Sequence, residues 1–249
     1  METGHFAELD ELGAGYWWFA TRFETVWRLA VEALQASPRR VVDLGCGTGT
    51  FLEWLAKEKG LAYSELLGLD GAEAALRATA RRGIAVKRCD LSVGDLSSVV
   101  PWAADTFVML DVLEHLQEPV RALQAARAVA RGGGVIALTV PALPVLWSNW
   151  DARLGHYRRY TRRRLVSELR AAGWYPGTVQ YLFCGMVLPG LMRRLGSGSQ
   201  RDGDPGFPRV SAPLNALLTR WFRAEARLGR LLPAGTSLAA VAWRDAPRP

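Results

Sequence analysis

The chain is short of several residue types. Among its 249 residues are three cysteines (Cys46, Cys89, Cys184), three histidines (His5, His115, His156) and three lysines (Lys57, Lys59, Lys87). The cysteines lie far apart, without the paired spacing of a metal site or a disulfide framework, so a reducing cytosol is the expected setting. No apolar run approaches the roughly 18 residues that a membrane-spanning helix needs. Met1–Leu12 carries three glutamates and an aspartate, with no apolar stretch of the kind a secretory signal requires. No internal repeat is present. With 49% apolar and 22% charged residues, the chain is neither a disordered tail nor a membrane span. It can bury a core in one domain, or at most two.

Acidic residues become scarce after residue 150. Residues 1–150 hold 14 Lys+Arg and 18 Asp+Glu, a net charge of −4, whereas residues 151–249 hold 17 and 6, a net of +11. Such a split suggests that the C-terminal part faces something anionic: a phosphate, a lipid surface or nucleic acid.

Apolar periodicity and turn residues give a coarse map. Residues 17–36 read as a helix led by Trp17, Trp18 and Phe19. Strands follow at Val41–Leu44, Leu66–Leu69, Ile84–Cys89, Thr106–Leu110 and Val135–Val140. Helices are expected at Thr50–Lys59, Glu73–Arg82 and Pro119–Arg131, the last broken by Gly132-Gly133-Gly134. This alternation argues for a parallel sheet with helices on both faces. Strands two, three and four each run into an acid, Asp70, Asp90 and Asp111. In such sheets the ligand crevice lies beyond the carboxyl ends of the strands. Further on, a helix is expected over Arg162–Ala172, an aromatic strand over Trp174–Phe183 and an apolar helical segment over Cys184–Leu195. A flexible loop at Gly196–Pro208, an amphipathic helix at Leu214–Leu232 and a last strand at Ser237–Trp243 complete the map.

Asp43-Leu44-Gly45-Cys46-Gly47-Thr48-Gly49 follows the first strand and opens a helix. Glycines there let backbone approach a ligand closely. A dinucleotide fingerprint wants G-x-G-x-x-G, but position 50 is Thr and the third glycine comes one residue early. A ligand without a pyrophosphate fits better than NAD.

Four ordered motifs, D-L-G-C-G-T-G at 43–49, Asp70, C-D-L at 89–91 and L-D-V-L-E-H-L at 110–116, resemble the class I S-adenosylmethionine-dependent methyltransferases. The match covers residues 41–140, and Ser237–Trp243 resembles the reversed seventh strand of that fold. The resemblance implies an α/β, Rossmann-like seven-stranded sheet, mostly parallel with an antiparallel last strand. It implies a single domain over 1–249: a helical cap (1–40), a cofactor-binding core (41–140) and an insertion between the last two strands (184–236). It also implies S-adenosylmethionine as cofactor and S-adenosylhomocysteine as product. Gly45, Cys46 and Gly47 would pass under the methionine part. Asp43 would hold the turn or touch the amine. Asp70, with Gly71 after it, would take the ribose hydroxyls. Asp90 and Leu91 would meet the adenine, and Leu110, Asp111 and Val112 would flank the methionine and sulfonium. Cys46 reads as a small packing residue rather than a reactive thiol.

The sulfonium methyl is already activated, so the protein mainly has to align the acceptor. A hydroxyl acceptor also benefits from a general base. His115 follows strand four and His156 follows strand five, so both belong to loops at the carboxyl edge. Three readings stand side by side. One makes His115 or His156 the base. The next is a metal site from Asp111, Glu114 and His115, with His156 as a further ligand. This resembles quinone-biosynthesis and small-RNA methyltransferases. In the third, these residues anchor loops.

Tyr16-Trp17-Trp18-Phe19 with Arg22, together with Gly155-His156-Tyr157-Arg158-Arg159-Tyr160, resembles a bacterial subgroup linked to glycan, lipid or secondary-metabolite pathways. There Trp18 or Phe19 would sit near the acceptor and Arg22 would be free to meet a carboxylate. Tyr157, Arg158, Arg159 and Tyr160 would face the substrate. Arg162, Arg163 and Arg164 fall in the first turn of a helix, where cations oppose the helix dipole, which hints at an anionic partner. Over Leu214–Leu232 the apolar residues are taken as one stripe, with Arg220, Arg223, Arg227 and Arg230 opposite. Such a helix either packs as a substrate lid or lies on an anionic membrane.

The expected function is methyl transfer to a small-molecule or lipid- or glycan-linked acceptor, at oxygen, with an acidic or phosphate group on the acceptor. The setting is cytoplasmic, with peripheral contact at the inner face of the membrane through 213–232 as an option. The alternative is an RNA or protein methyltransferase using the basic half. Against it, Asp111-Val112-Leu113-Glu114 lacks the N/D-P-P-Y/F signature of exocyclic-amine methylation, and no nucleic-acid module is visible. A non-enzymatic cofactor-binding partner is the third class.

Overall fold

The computed structural model describes residues 10–93, 95–196 and 208–246. Among these, seven strands form one sheet: β1 (Val41–Leu44), β2 (Leu66–Asp70), β3 (Ala85–Arg88), β4 (Ala104–Leu110), β5 (Ala130–Pro141), β6 (Tyr175–Leu182) and β7 (Ser237–Trp243). Their order is β3-β2-β1-β4-β5-β7-β6. All neighbours pair in parallel except β7, which is antiparallel to both β5 and β6. The topology is the Rossmann-like one expected.

Burial explains the order. β1 is buried throughout, and β4 is buried up to its last residue. Such continuous apolar runs suit the centre of a parallel sheet covered on both faces. β3 is mostly exposed and carries Lys87 and Arg88, which suits an edge. Successive side chains alternate between two cores. Val42, Leu44, Phe107, Met109, Ile136 and Leu138 point to one. Val41, Val108, Val135 and Ala137 point to the other, with Leu29, Leu52, Phe183 and Phe222.

Eight helices cover the faces among the described residues: α1 (Trp17–Leu34), α2 (Thr50–Lys59), α3 (Glu73–Arg81), α4 (Pro119–Val129), α5 (Asn149–Arg153), α6 (Arg162–Ala171), α7 (Val187–Gly196) and α8 (Ala212–Arg227). α1 buries Phe23, Val26, Leu29 and Ala30 at helical spacing. Thr161 caps α6, its Oγ1 accepting from the Arg164 N–H at 3.2 Å.

Two boundaries differ from expectation. The helix expected over Pro119–Arg131 ends at Val129, and Gly132–Gly134 lies inside β5. A Cβ on Gly134 would meet the carbonyl oxygens of Arg131 at 3.0 Å and Asp105 at 3.2 Å. A side chain on Gly134 would crowd the β4 backbone, so this glycine eases the entry of β5 beside β4. The helix expected to reach Leu232 ends at Arg227. Beyond it the chain turns in, and the Tyr181 N–H donates to the Gly229 carbonyl at 3.2 Å. The loop expected over Gly196–Pro208 lies almost wholly outside the described residues.

Candidate functional site

The carboxyl ends of β1, β2, β4 and β5 open onto a cavity of about 530 Å³. β7 runs the other way, so its first residues, Thr236 and Ser237, arrive at the same edge and complete the wall. α1 lies across the opening with Trp18, Phe19, Arg22 and Phe23 turned inward.

The β1–α2 turn forms one end. Gly45 has φ +78°, and a Cβ there would meet Val112 Cγ2 at 2.6 Å. The Gly45 and Cys46 N–H groups donate to the Leu69 carbonyl at 2.7 and 3.1 Å, which pins the turn to β2. Gly47 also has positive φ, and no atom lies within 4 Å of where its Cβ would stand. Asp70 Oδ2 accepts from the Gly47 N–H at 3.0 Å and Oδ1 from the Ala72 N–H at 2.9 Å. Each oxygen keeps capacity for a further donor.

Asp43 stands behind this turn, buried, with its Oδ1 lacking any hydrogen-bond partner. Burial, reinforced by the Asp70 charge, pushes its carboxyl up to about 8. Cys46 is buried as well, and burial with the charges of Asp43 and Asp70 raises its thiol pKa. This suits packing rather than nucleophilic chemistry.

Arg22 is not free to meet a carboxylate. Its guanidinium pairs with Asp111 Oδ2 at 2.6 Å, donates to the Thr139 hydroxyl and stacks 4.1 Å from the Trp18 ring centroid. Thr139 in turn donates to Asp111 Oδ1 at 3.1 Å. Asp111 adopts φ +54°, a left-handed conformation that this network and the Asp111 N–H bond to the Thr139 carbonyl hold in place.

The same cavity collects acid–base groups. Glu114 and His115 share the 3₁₀ turn Leu113–His115, which turns both side chains into the cavity. The His115 and His156 rings meet edge to face, centroids 4.6 Å apart. One ligand atom each from Glu114, His115 and His156 lies within 4.8 Å of the others. Glu114 is buried, and neither of its oxygens has a hydrogen-bond partner. Burial and then the Asp111 charge raise its pKa well above the usual range, against the opposing Arg22 and Arg159 charges. Of the four residues in the metal reading, Glu114, His115 and His156 come together, whereas Asp111 is paired with Arg22.

His156 is oriented from behind. Its Nδ1 lies 3.0 Å from Asp151 Oδ1, which also accepts from Arg159 Nε at 2.8 Å. Burial works to raise the Asp151 pKa, but the hydrogen bonds from His156 and Arg159 and the Arg159 charge outweigh it and hold it low. With Nδ1 committed to Asp151, Nε2 is the nitrogen left for the cavity.

Of the expected cofactor residues, Asp43, Gly45, Cys46, Gly47, Asp70, Leu110, Asp111 and Val112 line the cavity, and Gly71, Asp90 and Leu91 do not. Asp90 is exposed and closes its own turn by accepting from Ser92, which lowers its pKa. Leu91 packs against a core. Of the expected substrate residues, Trp18, Phe19, Arg22 and Arg159 line it. Tyr160 does not reach it. It is fully buried in the core because its backbone bridges to Ala142 and Leu143. Tyr157 and Arg158 point outward and bind Gln117. Thr139, Asp151, Thr236 and Ser237 were not anticipated. The last two were within reach, since the first residues of a reversed strand must arrive at the active edge.

Residues 19–177 match the Methyltransferase domain family. The chain belongs to that family. Its cofactor is S-adenosylmethionine, and it is an enzyme of the class I, Rossmann-like type. The chain is 27% identical over 196 residues to a ubiquinone biosynthesis O-methyltransferase of Xanthomonas euvesicatoria pv. vesicatoria (strain 85-10), covering 68% of this chain and 80% of that one. It is 28% identical over 146 residues to the Methylococcus capsulatus protein of the same name, covering 53% and 60%. Among solved structures, a geranyl diphosphate methyltransferase in complex with S-adenosylmethionine superposes with a TM-score of 0.56 at 14% identity, covering 90% and 85%. The [4+2]-cyclase SpnF superposes equally well, at 0.56 and 18% identity, covering 91% and 81%. One fold thus hosts different chemistries, and the acceptor has to be argued from the site.

The residues of this methyltransferase fit its cofactor. The unpartnered Asp43 Oδ1 suits an ammonium donor. The open side of Gly47 leaves room for a ligand against backbone, and Asp70 has acceptor capacity for a ribose diol.

Proposed function

We propose that this methyltransferase methylates a hydroxyl oxygen of a small, flat, largely apolar acceptor, with His156 as general base. The observation that carries the reading is the Asp151–His156 pair beside Glu114 and His115 in the cavity wall. S-adenosylmethionine supplies a methyl group already activated on a sulfonium, so the chain has two tasks. Trp18, Phe19, Phe23, Trp150 and Leu154 provide apolar walls that orient a ring. His156, its Nδ1 tied to Asp151, offers Nε2 to take the hydroxyl proton, and the resulting imidazolium is stabilised by Asp151. The two arginines that line the cavity are already paired, with Asp111 and Asp151. That supports a neutral acceptor over the anionic one suggested by the charge split. The O-methyltransferase names of the relatives are consistent with oxygen as the target.

The buried, unpartnered Glu114 carboxylate favours a second reading, in which Glu114, His115 and His156 hold a divalent cation. These carboxylate and imidazole donors suit zinc, manganese or iron. A cation there would lower the pKa of an acceptor hydroxyl.

The test is transfer of labelled methyl from S-adenosylmethionine to a panel of phenols, catechols and their prenylated forms. His156→Ala should lower kcat by about 10²–10⁴-fold with S-adenosylhomocysteine affinity unchanged. Activity retained by His156→Ala sinks the base. Loss of activity in chelator, with recovery on adding one divalent metal, selects the second reading.

A further inference from the structure

The arginines of the C-terminal part remain unexplained by the cavity, and α8 accounts for several of them. The apolar residues over Leu214–Leu232, read from sequence as one stripe, fall on two faces. Phe222 and Ala226 are buried, with Phe222 3% exposed and stacked 5.0 Å from Trp17. Asn215 on the same side receives the Trp17 N–H at 2.8 Å. A second row faces outward, Leu217 and Trp221 four residues apart at 61% and 62% exposure, and Leu228 and Leu231 just past the helix end are exposed too, at 57% and 82%. Arg220, Arg223 and Arg227, also exposed, form a third row. At 100° per residue the three rows lie about 120° apart. α8 is therefore already seated on the domain while presenting an uncovered apolar edge flanked by cations. α7 adds the exposed Leu188 and Met192, and the Trp221 indole nitrogen would stand 3.6 Å from a Cβ on Gly185, just before α7.

We propose that this edge of α7 and α8 docks the enzyme on an anionic lipid surface. Charge decides between a membrane and a second copy of the chain. The one acid of α8, Glu225, is turned inward and accepts from the Cys184 and Gly185 N–H groups at 2.7 and 3.0 Å. No carboxylate is left on the outer faces of α8 to pair with an arginine row. Two copies meeting through this edge would bring like rows together, whereas lipid headgroups neutralise them and acyl chains take up Trp221 and its row. The proposal is independent of the acceptor, and its test needs no turnover. α8 rests on α1, whose other side lines the cavity, so docking would hold the opening near the lipid surface.

The full chain is sedimented with phosphatidylcholine vesicles with and without phosphatidylglycerol, at low and high salt. Binding is expected only with the anionic lipid, weakening as salt rises. Leu217→Ser/Trp221→Ser should reduce the bound fraction about tenfold while far-ultraviolet dichroism and S-adenosylhomocysteine affinity stay as in the wild type. Arg220→Gln/Arg223→Gln/Arg227→Gln should remove the preference for anionic lipid. No sedimentation at low salt overturns the proposal. Unchanged binding by the apolar double variant also overturns it, since the surface would then be a general anion binder. A wild-type dimer that becomes monomeric in the double variant would assign the edge to a second copy instead.

Discussion

Asp43 should weaken the empty protein in order to serve the bound one, and Asp43→Asn exposes the trade. The buried carboxyl titrates at about 8 in the fold and near 3.9 in an unfolded chain. Between those values the folded state holds a proton that the unfolded state has released. Stability is therefore fully present below about pH 4 and falls by about 1.4 kcal/mol per pH unit until the folded pKa is passed. At pH 7 the accumulated loss is on the order of 4 kcal/mol. Asparagine is nearly the same shape and does not ionise. Asp43→Asn should thus stabilise the cofactor-free protein relative to wild type, with a gain about 3 kcal/mol larger at pH 7 than at pH 5. Urea unfolding across this range measures it. The same variant should bind S-adenosylhomocysteine more weakly at pH 7, read by calorimetry, if the Asp43 carboxylate receives the ligand ammonium. A variant that is destabilised equally at every pH would refute the reasoning. It would mean that the carboxyl is satisfied in the empty protein and merely props the turn.

Arg22→Met should cost about 1–3 kcal/mol, because Asp111, 23% exposed at the cavity wall, would lose its cation while keeping some access to water. The double variant Arg22→Met/Asp111→Asn should recover most of that loss in thermal unfolding while remaining poor in cofactor binding. Phe222→Ala should cost about 3–5 kcal/mol by opening a cavity against Trp17 and Phe183. Leu217→Ala, five residues earlier on the same helix but exposed, should change stability by less than about 0.5 kcal/mol.

Much of this molecule is legible in its sequence where local patterns carry the information. β1, the start of α2 and the end of β2 follow from one apolar run, one glycine turn and one acid, because strand, turn and strand end are each dictated by neighbours in the chain. The glycine-turn wall of the cavity inherits that legibility, and Asp43, Gly45, Gly47 and Asp70 line it together. Legibility fails where a contact spans the chain. Gly132–Gly134 resembles a helix stop, but its role is set by the carbonyls of β4. Tyr160 sits in a cationic loop and reads as surface, but its backbone pairs with the end of β5 and carries the ring into the core. Arg22 reads as available until α1 is laid over Asp111 and Thr139, each more than eighty residues away.

The charge split shows the same division between local and distant information. Excess arginine after residue 150 by itself suggests an anionic acceptor. Pairing inside the cavity argues otherwise: Arg22 meets Asp111 and Arg159 meets Asp151, so both cavity arginines are already matched by acids. Among the described residues, much of the remaining excess lies outward on α6 and α8. A helical stripe counted along the sequence cannot distinguish a buried row from an exposed one when both are apolar and about a third of a turn apart. Phe222 and Trp221 are neighbours in the chain, yet one anchors α8 to α1 and the other faces solvent. Once those rows are separated, lid packing and surface docking stop being alternatives. The same helix performs the first with one face, which leaves the second to the arginine-flanked edge.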